Sequence, residues 1–166
     1  MAEIITFTNQ KGGVGKTSLA MNFGVRLKMA GARVLFVDMD PQGNLTYTMG
    51  IDHAEVTVYD LLLGRRTARE AILHAAECDI IASSPGLSTF NLTQAGTGKE
   101  YLLRNALQPV AADYDFIVID SPPTLGILTI NILTAANSVM IPALADVFRL
   151  HFQVFLVIEP KSFDHI

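Results

Sequence analysis

Residues 9–17 read Asn9-Gln10-Lys11-Gly12-Gly13-Val14-Gly15-Lys16-Thr17. The stretch lies between a strand-like run, Ile4 to Thr8, and a helix-like run, Thr17 to Met29. A glycine-rich loop in that setting wraps backbone N–H groups around phosphates at a helix N-terminus. Gly12, Gly13 and Gly15 allow close approach and backbone angles closed to other residues. Lys16 is placed to reach the β- and γ-phosphates, and the Thr17 hydroxyl to ligate Mg²⁺. The strict P-loop pattern has glycine where Gln10 stands, and here a second lysine, Lys11, precedes the usual one by five residues.

Working outward, Val34-Leu35-Phe36-Val37 closes on Asp38, and Phe116-Ile117-Val118-Ile119 closes on Asp120. Continuous apolar runs of this kind are buried parallel strands covered on both faces. Leu19, Ala20, Phe23, Leu27 and Ala30 recur at helical spacing, and Gly31 ends that helix. Asp40 to Asn44 reads as a loop. Val58 to Leu63 reads as a short helix stopped by Gly64, and Ala68 to Ala76 as a second helix. Asp79 to Ala82 reads as a brief strand, Lys99 to Leu107 as a helix and Thr124 to Ala136 as another. Val139-Met140-Ile141 reads as a strand ended by Pro142. Strands alternate with helices, so the expected fold is α/β: a P-loop NTPase-like three-layer arrangement with a mostly parallel sheet flanked by helices. In such sheets ligands bind at the carboxyl ends of the strands. The glycine loop, Asp38 with Asp40, and Asp120 all fall there and are expected to share one crevice. Asp120 is expected to hold Mg²⁺ directly or through water. Alternation aims Asp38 and Asp40 the same way, one to orient an attacking water and the other to support the metal shell. For Asn9 and Gln10 two readings stay open, loop spacers or holders of water near the γ-phosphate.

The composition narrows the function classes. The chain has 166 residues, half of them apolar, with 17% charged and a net charge of −4. Its mean hydropathy is +0.36 and its pI about 5.5. That is one domain's worth of core-forming sequence, and nothing in it coats nucleic acid by bulk charge. Arg65, Arg66 and Arg69 form a basic cluster that reads as a solvated helix start. A single cysteine, Cys78, makes no internal disulfide and no metal site alone. His53, His74, His151 and His165 lack ligand spacing, and Ser121 lacks the G-x-S-x-G context of a nucleophile. No secretory signal or membrane-length apolar run is visible, which places the expected location in the cytoplasm, with no membrane partner.

Three motifs together resemble the ParA family of deviant Walker A ATPases. They are the run Asn9 to Thr17, the run Val37-Asp38-Met39-Asp40-Pro41-Gln42-Gly43-Asn44, and the run Tyr114 to Pro123. The resemblance covers residues 2–142 of a single domain spanning 1–166. It implies an ATPase that segregates plasmids or chromosomes as an ATP-dependent homodimer, with ATP and Mg²⁺ as cofactors. Lys11 is similar to the signature lysine that crosses to the partner's phosphates. Lys11, Gly12, Gly13, Val14, Gly15, Lys16, Thr17 and Ser18 are the implied nucleotide-binding set. Thr17 and Asp120 are the implied metal ligands, Asp38, which alternation adds to the metal set, is the implied neighbour of Asp40 in the switch region, and Asp40, with Lys11 and Lys16, forms the catalytic set. The implied partners are a centromere-binding, ParB-like protein and non-specific DNA, the latter with nucleoid association.

Two alternatives remain open from the residues: a positioning ATPase for another cargo, MinD-like or for protein clusters, and an inactive nucleotide-binding remnant. The nitrogenase iron protein is excluded, because it needs several cysteines. The start of the chain resembles the short type of the family. After Pro142 the sequence departs from the family pattern, keeping a trace at Asp146-Val147-Phe148-Arg149-Leu150 before an atypical tail within 143–166. The family's C-terminal third is expected to be missing. Val154 to Ile158 is expected either to add a strand or helix or to leave an exposed apolar patch.

Overall fold

The apolar runs that close on aspartates lie side by side. In the computed structural model, which describes residues 1–76, 78–90, 98–147 and 150–158 (backbone alone from 143 on), seven strands form one sheet ordered β3-β4-β2-β5-β1-β6-β7. The strands are β1 Glu3–Phe7, β2 Val34–Asp38, β3 Ile72–His74, β4 Asp79–Ile81, β5 Phe116–Asp120, β6 Ser138–Val147 and β7 Leu150–Ile158. The five inner strands are parallel, and the edge strands β3 and β7 are antiparallel to their neighbours. The described helices are α1 Lys16–Met29, α2 Asn44–Thr48, α3 Val58–Leu62, α4 Ala68–Ala71, α5 Leu102–Leu107 and α6 Ile127–Ala135.

The two-residue period of a strand divides the core into two layers. Val34 and Phe36 of β2 and Val118 of β5 face Ala20 of α1 and Leu45 of α2. Leu35, Val37, Ile117 and Ile119 face the other way, against Val58, Ala68, Leu103 and Ile132 of α3 to α6. The helix α1 comes close to β2 because Gly24 has no side chain: a Cβ there would lie 2.3 Å from Cζ of Phe36. Phe36 is fully buried, so its ring cannot swing out to solvent. Gly24→Ala is therefore expected to cost about 1–3 kcal/mol by overpacking, lowering Tm by roughly 2–12 °C. A thermal melt checks this, and an unchanged Tm would show that α1 shifts freely.

The helix-like run from Ala68 to Ala76 is corrected. Thr67 and Glu70 form a capping box that supports a single turn, α4. At Ile72 the chain becomes strand β3, paired antiparallel with β4. Asn44 begins a short helix rather than ending a loop, and the helix expected from Thr124 starts at Ile127.

Strand β6 does not stop at Pro142 but runs to Val147, paired with β7. The carbonyl of Pro142 accepts a bond from Nδ2 of Asn9 at 2.7 Å. A strand residue's N–H points to the same side as its carbonyl, so the missing donor falls on the Asn9 side. There β1 has already ended its pairing, at Phe7 with Met140. The proline thus removes no bond from the β6–β7 ladder. Of the alternatives for Val154 to Ile158, the strand is the one formed. Phe148, Arg149, His165 and the side chain of His151 lie outside what is described. Among the described residues no helix is long and apolar enough to cross a membrane.

Candidate functional site

Strand register brings the three motifs together. Asp38 of β2 is directly opposite Asp120 of β5, and Asp120 is opposite Phe7, the last residue of β1. The chain leaving β1 enters the 9–15 loop and then α1. Gly13 and Gly15 take φ of 72° and 84°, the left-handed region that favours glycine. Gly12 has no such angle, and a Cβ there would meet no protein atom within 4 Å. Packing within the protein gives no reason for glycine at that position, which leaves room for a ligand. The N-terminus of α1 carries no side-chain cap and no acidic residue in its first turn. Its first amides and the positive end of its dipole therefore suit an anion.

Lys16 is buried, with Nζ 3.4 Å from the carbonyl oxygen of Lys11. Lys11 is exposed, and its amide donates to Oδ1 of Asn9 at 2.9 Å. Asn9 thus joins the start of the loop to β6 through Pro142, a structural role that neither sequence reading named.

Asp120 is fully buried, and neither of its carboxylate oxygens has a hydrogen-bond partner. Burial raises its pKa to about 7. The Thr17 hydroxyl opposes this without meeting full hydrogen-bond geometry, while Asp38 and Asp40 add to the rise. Such a carboxylate is costly to leave alone and is the chemistry a divalent cation relieves. Among the described residues no three His, Cys, Asp or Glu side chains are placed to hold a metal ion between them. A cation here needs oxygens from a ligand as well, and Thr17 with Asp120 fits Mg²⁺ arriving with a nucleotide.

Asp38, expected in the metal set, meets a different arrangement. Its Oδ2 accepts from the amide and hydroxyl of Thr46 at 2.8 and 2.7 Å, and its Oδ1 from the amide of Asp40 at 3.1 Å. Burial raises its pKa to about 6, with the Thr46 bonds pulling it back. Both oxygens are engaged in holding α2 and the following loop. Asp40 is buried at the crevice, with Oδ1 accepting from the Gln42 amide at 3.0 Å. Ser121 donates to the Phe7 carbonyl at 2.8 Å and is fully buried, as a structural serine is. Cys78 is buried, and His74 pairs with Asp79 at 2.7 Å.

A second groove, about 550 Å³, lies at the opposite end of the strands, between Lys28, Arg33, Arg69 and Asp79. Its arginines are already paired, Arg33 with Asp115 at 2.8 Å and Arg69 with Asp113 at 2.7 Å, and of the three motifs it touches Tyr114 alone, at the far end of β5 from Asp120.

Comparison with known proteins gives the family and the fold. Residues 2–157 match the AAA domain family. The chain is 43% identical over 156 residues to the chromosome partitioning protein ParA of Myxococcus xanthus, covering 90% of this chain and 55% of that protein. It is 43% identical over 155 residues to the sporulation initiation inhibitor protein Soj of Bacillus subtilis, covering 90% and 61%. The chain thus spans little more than half the length of the curated relatives it matches. Among solved structures, a cobyrinic acid a,c-diamide synthase from Mycobacterium smegmatis with bound ATP analog and magnesium superposes with a TM-score of 0.84 at 35% identity, over 90% of this chain and 63% of that one. A plasmid partition protein from Borrelia burgdorferi superposes with a TM-score of 0.79 at 29% identity, over 90% and 69%.

Proposed function

This chain belongs to the AAA domain family, among its ParA-type members, and we propose that it binds Mg·ATP in the crevice between the 9–18 loop and Asp120 and hydrolyses it as a switch in plasmid or chromosome partitioning. The observation that carries this reading is the uncapped, glycine-rich N-terminus of α1 facing a buried carboxylate that has no partner of its own.

The loop amides from Lys11 to Ser18 and the ammonium of Lys16 bind and orient the triphosphate. Thr17 and Asp120 hold Mg²⁺, which neutralises charge on the phosphates when bound. Asp40 orients the attacking water. Asp38 serves as the anchor of the Asp40 loop rather than as a ligand. Exposed Lys11 is free to reach a second copy across an ATP-dependent dimer, where its charge would stabilise the phosphates undergoing transfer. Dimerisation then depends on the nucleotide state, which makes hydrolysis a switch. A ParB-like centromere-binding protein is the expected stimulating partner, and non-specific DNA the expected track.

The test is steady-state hydrolysis of Mg·ATP by the full chain and by Asp40→Ala. The variant is expected to bind ATP within about threefold of the wild type and to lose at least about a hundredfold in turnover. Equal turnover in the two proteins would move the water-orienting role to another residue.

A further inference from the structure

The hydroxyl of Thr46 belongs to no motif assigned a chemical role above, yet it joins two of the bonds that fix Asp40. It donates to Oδ2 of Asp38 at 2.7 Å and accepts from the amide of Ser83 at 3.0 Å. Asp38 in turn accepts the amide of Asp40 at 3.1 Å. The hydroxyl of Ser83 donates to the carbonyl of Asp40, which also accepts the Gly43 amide at 2.9 Å. Asp40 is thus held at its N–H through Asp38 and at its carbonyl through Ser83, and Thr46 ties the two holds together. Ser83 follows β4, and the neighbouring Ala82 carbonyl accepts the amide of Val58 at 2.9 Å, so the clamp is continuous with α3.

We infer that Thr46 is a positioning residue for hydrolysis, its hydroxyl locking the Asp38–Asp40 loop to the exit of β4 so that the Asp40 carboxylate is held at the reacting phosphate. The inference rests on the hydrolysis reading above. It needs the hydroxyl and not the methyl group. Removing the hydroxyl leaves the Ser83 amide without its acceptor and deprives buried Asp38 of one of its three donors. The nucleotide loop itself is untouched, so the loss falls on turnover rather than on binding.

The experiment compares wild type, Thr46→Ser, Thr46→Val and Ser83→Ala by Mg·ATP kinetics and by residue-resolved amide exchange of the nucleotide-free chain. Thr46→Val is expected to lower kcat by about 10- to 100-fold with KM within about threefold, as a misplaced catalytic group does. Thr46→Ser is expected to stay within about threefold of wild type in kcat. Ser83→Ala, which opens the clamp from its other end, is expected to follow Thr46→Val. Exchange at the Ser83 amide is expected to speed up about tenfold or more in Thr46→Val and to be unchanged in Thr46→Ser. Normal kcat in Thr46→Val, an equal loss in Thr46→Ser, or unchanged Ser83 exchange in Thr46→Val would each overturn the inference. A wild-type chain that binds Mg·ATP without turning it over would overturn the hydrolysis reading instead, and exchange would then decide whether Thr46 holds the loop.

Discussion

Asp120→Asn is expected to melt at a higher temperature than the wild type at pH 8 without ligand, and at a lower one with Mg·ATP. The wild-type carboxyl is buried without a hydrogen-bond partner, and its pKa is raised to about 7. A carboxyl whose folded pKa exceeds its unfolded value binds protons more tightly when folded. Its favourable contribution is complete below the unfolded pKa near 4 and is lost as pH rises through about 7. At pH 8 the folded protein therefore bears the cost of a buried charge, on the order of 4 kcal/mol if the whole shift is counted. Asparagine removes that charge but brings an amide that also lacks partners, costing about 1–3 kcal/mol. The net gain is about 1–3 kcal/mol, roughly 2–12 °C in Tm. At pH 5.5 the wild-type group is largely protonated, and the difference should shrink. Adding Mg·ATP should reverse the order, because only the carboxylate gains a cation. Melts at the two pH values, with and without Mg·ATP, decide it. A lower Tm for ligand-free Asp120→Asn at pH 8 would mean that the carboxylate stabilises the empty fold.

The same residues show why the site was more legible than the fold around it. The strands β2 and β5 announce themselves, because burial on both faces demands unbroken apolar runs, and each run ends where a charge can meet the crevice. The register that sets Asp38 opposite Asp120 follows from that shared ending. What failed depended on partners distant in sequence. The run from Ala68 to Ala76 has helical character throughout, but the free edge of β4 takes Ile72 to His74 as a strand. Pro142 reads as a stop unless one knows that β1 has already ended on its N–H side. For Asp38, alternation gives the direction of the carboxylate but not what it meets. Its hydrogen-bond partner Thr46 sits on a five-residue helix too short to leave a periodic signal.

Lys16→Ala is expected to abolish the stabilisation that Mg·ATP confers while leaving the empty chain folded. At a free ligand concentration about 100 times Kd, binding raises stability by about 2.7 kcal/mol, or roughly 5–11 °C in Tm for a chain of this size. Most of that depends on Lys16. The first turn of α1 offers the triphosphate amides but no other buried cation, since Lys16 alone among the lysines and arginines with described side chains is buried. Truncating one member of a buried charge pair costs about 2–5 kcal/mol, enough to weaken binding on the order of a hundredfold or more. In the empty chain Lys16 makes one long bond, 3.4 Å to the Lys11 carbonyl, so its removal disturbs little. It does take away a positive charge that favours ionised Asp120. The carboxyl should then hold its proton to a higher pH, and the fall in ligand-free Tm should continue to a higher pH. Two independent readouts therefore share one cause, the position of a single ammonium between the loop and Asp120. Melting curves of wild type and Lys16→Ala across pH, with and without Mg·ATP, measure both. A variant that keeps the full Mg·ATP shift would sink the assignment of the loop as the triphosphate site. A variant that loses the shift but keeps the wild-type pH profile would place Lys16 on the phosphates and remove it from the surroundings of Asp120.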